Sequence, residues 1–69
     1  MYYRDVLYLL SEKYPYWLTV YNIRDMLNIP ESSVRSALKQ IYEEKLVTRA
    51  KLGNINIYCR FYPNYSKFI

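Results

Sequence analysis

Near Lys45 and Leu46 the spacing of apolar residues changes from every third or fourth position to every second. A chain with that break must fold as helices that hand over to strands. In "YYRDVLYLLSEKY", Tyr3, Val6, Leu7, Leu10 and Tyr14 share one helical face and Pro15 ends the pattern, which predicts a helix over 2–13. The connector "PYWL" leaves room for a short strand near 17–19. Thr19 suits the N-cap of "VYNIRDML", whose Ile23, Met26 and Leu27 predict a second helix over 20–27. Asn28 follows it, and asparagine ranks after glycine for the left-handed residue that stops a helix. Pro30 then suits the start of a third helix over 31–44, with Val34, Ala37, Leu38 and Ile41 inward.

Beyond the break, "LVTRAK" and "INIYCRF" flank "LGN", which contains the only glycine, and read as a hairpin over 46–61. Alternation predicts that Ile55, Ile57, Cys59 and Phe61 pack on the helices while Asn56, Tyr58 and Arg60 face water. Pro63 ends the strand and opens a tail over 62–69. Tyr58, Phe61, Tyr62, Tyr65 and Phe68 make a C-terminal aromatic group with Arg60 and Lys67 interleaved. Packing on the first helix or on a second subunit suits this group better than stacking on unpaired bases. Tyr3, Tyr14, Tyr21 and Tyr42 fit core or boundary positions whose hydroxyls reach water.

With 69 residues the chain makes a single domain over 1–69, whose core is small enough that a partner subunit or dense aromatic packing would help it. No apolar run approaches the ~20 residues of a membrane span, and the start has no basic leader with a cleavage site. A cytoplasmic protein without membrane contact is expected. Histidine is absent and Cys59 stands alone, which argues against a disulfide framework and a zinc site. Cys59 itself reads as a small buried strand residue. No glycine-rich phosphate loop or nucleophile motif is present, so neither enzyme activity nor a cofactor is expected.

Charge is divided unevenly. Residues 1–45 balance Arg4, Lys13, Arg24, Arg35, Lys39 and Lys45 against Asp5, Glu12, Asp25, Glu31, Glu43 and Glu44. Residues 46–69 carry Arg49, Lys51, Arg60 and Lys67 with no acid, so the whole +4 excess lies there. A local basic surface of that kind points to a polyanionic partner.

Over residues 3 to 61, and most specifically in "TVYNIRDMLNIPESSVRSALKQIYEEKLVTRAKLGNINIYCRF", the chain resembles MarR-like and ArsR-like regulators. The resemblance implies an α+β winged helix-turn-helix fold, with three helices followed by a two-stranded wing. It departs from the pattern at Lys45, where those families usually have glycine, and at Pro30, where they usually have a polar cap. A left-handed Lys45 would cost roughly 1 kcal/mol. The extra dimerising helix usual in those regulators has no counterpart in this segment. In its aromatic content the chain also resembles small winged-helix proteins of archaeal viruses and plasmids.

In the third helix, an inward Val34, Leu38 and Ile41 sends Ser32, Ser36 and Lys39 outward, with Arg35 and Gln40 at the flanks. Arginine and lysine can donate to guanine, glutamine can pair with adenine, and serine can bond to bases or phosphates. Ser32 and Ser33 are short enough to let the helix N-terminus approach a phosphate. The resemblance implies that such residues contact DNA and that the hairpin acts as a wing. Arg49, Lys51, Asn54, Asn56 and Arg60 are its candidates for phosphate or minor-groove contact.

The same helix also has a blander reading. Glu31, Arg35, Lys39 and Glu43 are successive i, i+4 neighbours, so Arg35 can pair with Glu31 and Lys39 with Glu43 on a solvated face. The leading expectation is a sequence-specific double-stranded DNA-binding protein, a transcriptional regulator acting as a homodimer on a two-fold related site. The alternative is a winged-helix module that binds protein through exposed tyrosines.

Overall fold

The computed structural model describes residues 2–62. The expected aromatic contributions of Tyr65, Lys67 and Phe68 lie outside them. The elements run α1 (Tyr3–Glu12), β1 (Leu18–Thr19), α2 (Val20–Leu27), α3 (Glu31–Glu43), β2 (Val47–Leu52) and β3 (Ile55–Arg60). This is a small α+β fold of three helices and one antiparallel sheet in the order β1-β3-β2. A strand therefore precedes α2, so the order is not simply three helices and then a hairpin. Among the described residues no helix is long and apolar enough to cross a membrane.

Local signals account for the boundaries. The Thr19 hydroxyl accepts from the Asn22 amide at 3.0 Å while Asn22 Oδ1 accepts from the Thr19 amide at 3.0 Å, a reciprocal capping box. Asn28 stops α2 at φ 55°, and its amide donates to the Arg24 carbonyl at 2.7 Å. Two residues later the Pro30 carbonyl accepts from Ser33 and Val34 at 3.1 and 3.2 Å and starts α3. Lys45 takes the left-handed conformation at φ 63°. Gly53, at φ +64°, opens the two-residue turn of the hairpin, where glycine meets no steric penalty.

Val6, Leu9 and Leu10 of α1, Val20 and Ile23 of α2, and Val34, Ala37, Leu38 and Ile41 of α3 close over Leu18, Val47 and Tyr58 of the sheet. No buried polar side-chain atom among the described residues lacks a hydrogen-bond partner. The expected helical faces need adjusting. Leu9 joins the core, whereas α1 ends at Glu12 and leaves Tyr14 exposed, its ring edge-on to Tyr62 at 5.3 Å. The buried stripe of α2 runs through Val20 and Ile23 towards half-buried Leu27, so Met26 falls to one side and is exposed.

The larger correction concerns β3. Leu18 pairs with Tyr58, and Val47 with Arg60, so Tyr58 and Arg60 share the face that meets the helices. Ile55, Ile57 and Cys59 point the other way, the reverse of the expected alternation. The large Tyr58 ring fills the core beside Leu18 and Val47. Cys59 is nonetheless buried, as expected, because the connector before β1 covers it and its Sγ meets the Pro15 carbonyl at 3.3 Å.

Candidate nucleic-acid interface

α3 stands between two grooves. Its apolar stripe anchors it to the core, which leaves Ser32, Ser36, Lys39 and Glu43 along an exposed outer ridge. On one side, Ser33, Ser36 and Gln40 line a groove of about 340 Å³ against Tyr2 and Tyr3 of the α1 end. On the other, Arg35, Lys39 and Tyr42 line a groove of about 440 Å³ against Arg49 and Tyr58 of the sheet. The expected reading residues of α3 are thus split between a ridge and its two flanks.

The reversed sheet face decides which hairpin residues join them. Arg49 pairs with Tyr58 across the strands, so it points towards α3, and its Cζ sits 4.2 Å from the centre of the Tyr42 ring. Lys51 pairs with Asn56 on the same face, one step nearer the turn. Asn54 is exposed in the turn itself. Arg49, Lys51 and Asn56 therefore share a face beside α3, and Asn54 marks its far end.

Arg60 does not join that group. It lies at the base of the hairpin, where its Nε donates to Ser11 Oγ at 2.9 Å and its Nη1 to the Leu46 carbonyl at 2.9 Å. It also donates to the Phe61 carbonyl, and its guanidinium covers the Tyr62 ring at 4.3 Å. With its donors turned to α1 and the strand ends, Arg60 ties α1 to the sheet instead of pointing outward.

Ion pairs separate the remaining cations into two kinds. Arg35 bonds to Glu31 through two nitrogens, and Arg24 reaches the other Glu31 oxygen at 3.4 Å while also bonding to Asp25 at 3.0 Å. Hydrogen bonding to Glu31, reinforced by its charge, raises the Arg35 pKa; hydrogen bonding to Asp25 and its charge do the same for Arg24. The expected Lys39–Glu43 pair is not among the ion pairs of the described residues, and neither Arg49 nor Lys51 has a carboxylate partner among them. Lys39, Arg49 and Lys51 are thus the cations of α3 and the hairpin face that have no carboxylate partner among the described residues, although Arg49 rests on the Tyr42 ring.

Two aromatic neighbours escaped the sequence reading as parts of this site. Tyr42 supports Arg49, and Tyr21 lies under Arg24 at 5.3 Å. Tyr42 is four residues from Leu38, so its place beside the inward stripe was readable. Its partner on β2 was not, because only docking of the hairpin brings Arg49 to it. Comparison with protein-family models found no match, and comparison with curated proteins found none.

Proposed function

We propose that the chain is a winged helix-turn-helix domain that binds double-stranded DNA in the cytoplasm as a homodimeric transcriptional regulator. In this reading α3 enters the major groove and the β2–β3 hairpin contacts the backbone or minor groove. The observation that carries it is the convergence of cations from separate elements, Arg35 and Lys39 across a groove from Arg49, with Lys51 on the same sheet face. The three-residue connection from α2 to α3 supports the helix-turn-helix part. Pairing of β1 with the hairpin is compatible with a wing that begins as part of the sheet.

A duplex titration at several salt concentrations tests the proposal. Phosphate contacts by Lys39, Arg49 and Lys51 on each copy make six in the dimer and predict a log–log slope of about −5, from roughly 0.9 per neutralised phosphate. Binding that ignores salt, or no binding to mixed duplex at low salt, overturns it. Where binding occurs, Arg35→Ala lowers discrimination between sequences, while Lys51→Ala weakens all duplexes about equally. An unchanged preference without Arg35 counts against α3 as the reading element.

The protein-binding alternative draws support from Tyr8, Tyr16 and Trp17, which are exposed on the helical layer and its connector. A chain without duplex affinity that copurifies with one specific protein would favour it.

A further inference from the structure

One face of the sheet meets the helices, and the other, apart from Cys59 under the connector before β1, is largely exposed among the described residues. Cross-strand partners share a face, so Thr48 with Cys59, Ala50 with Ile57 and Leu52 with Ile55 define the side turned away from the helices. Trp17 and Phe61 extend the same alternation past the ends of β1 and β3. Leu52 is 68% exposed, and Trp17, Ile55 and Phe61 are 43%, 44% and 44% exposed. Among the described residues this face holds no Asp, Glu, Lys or Arg, in a chain that has ten basic and six acidic residues.

We infer that this outer face is the surface on which a second copy of the chain packs, sheet against sheet. Charge selects that occupant. The protein carries a net charge of +4, and its inner hairpin face and α3 carry Arg49, Lys51 and Lys39, so copies meeting there would oppose like charges. The outer face meets itself without repulsion, and it gives a charged partner no group to pair with.

Shape agrees with charge. The outward β2 row is small at Thr48 and Ala50 and large only at Leu52 beside the turn, and the β3 row is large at Ile55 and Ile57 before the small Cys59. A two-fold axis that lays β2 of one copy on β3 of the other sets large against small twice, as an isologous contact requires. Stacked sheets about 10 Å apart leave room for such interdigitation.

Area sets the strength. The exposed parts of Trp17, Leu52, Ile55 and Phe61 come to on the order of 400 Å² per copy, taking about 200 Å² for a whole large side chain. A standard interface buries roughly 800 Å² per partner, so the pair is a reversible dimer. The inference rests on the homodimer proposed above, whose surface it names, and the contact leaves α3, Arg49 and Lys51 uncovered on the opposite side of the sheet.

Sedimentation equilibrium of the whole chain without nucleic acid tests it. The wild type is expected to pass from monomer to dimer as its concentration rises. Leu52→Glu and Ile55→Glu, both at exposed positions, are expected to weaken association by about tenfold or more with unchanged circular dichroism and unfolding midpoint. Tyr8→Glu, on the exposed side of α1, leaves association as it was. A wild type monomeric at every concentration overturns the inference, including one that protects Leu52 against its own chain. So does association weakened as much by Tyr8→Glu as by Leu52→Glu. Loss of duplex binding would not change either result, since no nucleic acid enters the measurement.

Discussion

Arg35 donates from both Nε and Nη2 to a single oxygen of Glu31, one helical turn back, at 2.9 and 2.7 Å. The other Glu31 oxygen faces Arg24 at 3.4 Å, so one carboxylate at the start of α3 holds an arginine from each helix of the helix–turn–helix pair. All these groups are substantially exposed, so the bonds orient the arginines more than they stabilise the fold. The solvated-face reading of α3 is thus realised at Arg35, although not at Lys39.

Glu31→Gln separates orientation from stability. The unfolding midpoint is expected to change little. If α3 reads DNA, duplex affinity rises, since a negative charge leaves the helix N-terminus, and discrimination between sequences falls as Arg35 loses its fixed direction. Parallel titrations with a preferred and a scrambled duplex measure both effects.

The core side of α3 should respond far more strongly. Leu38→Ala, at a residue only 1% exposed, is expected to cost about 2–5 kcal/mol, enough to unfold a large fraction of so small a domain. Thr19→Ala removes only the cap of α2 and should cost about 1 kcal/mol. Urea unfolding of the three proteins gives the order directly.

Lys45 occupies the left-handed region at φ 63°, where a side chain meets the following carbonyl. Lys45→Gly is expected to raise stability by up to about 1 kcal/mol, part of the gain being offset by the freer unfolded chain. A lowered urea midpoint would show that the lysine side chain stabilises the turn by more than its backbone costs.

Alkaline pH should weaken the fold. Burial pushes the Cys59 thiol up, and the Tyr3 phenol is raised chiefly by its hydrogen bond to the Glu44 carboxylate. Both are neutral when protonated, so the folded state keeps protons that the unfolded chain has already lost. Their stabilisation is present below the unfolded values, about 8.5 for cysteine and 10 for tyrosine, and is lost as pH rises through the folded ones. Unfolding midpoints from about pH 7 to 10.5 should therefore fall, and Cys59→Ala should remove the earlier part of the fall. A thiol reagent should modify native Cys59 slowly and the urea-unfolded chain fast.

Much of the architecture was legible because its causes are local. Thr19 with Asn22, Asn28, Pro30, Lys45 and Gly53 each act on backbone within four residues, so helix limits, the tight connection and the hairpin turn could be read from short stretches. The inward stripe of α3 followed from period alone, and so did the outward ridge of Ser32, Ser36 and Lys39.

What the sequence determined by itself was therefore the set of elements and the two faces of each. It did not determine which face of the hairpin turned inward, because a period of two creates two faces and ranks neither. Tertiary pairing made that choice: Leu18, forty residues from Tyr58, brings the tyrosine ring into the core and turns Ile55 and Ile57 out. The same choice carries Arg49 to Tyr42 and commits Arg60 to Ser11, 49 residues away in the chain. Burial of the Tyr58 ring and satisfaction of a half-buried guanidinium are settled among distant residues, and no local pattern encodes them.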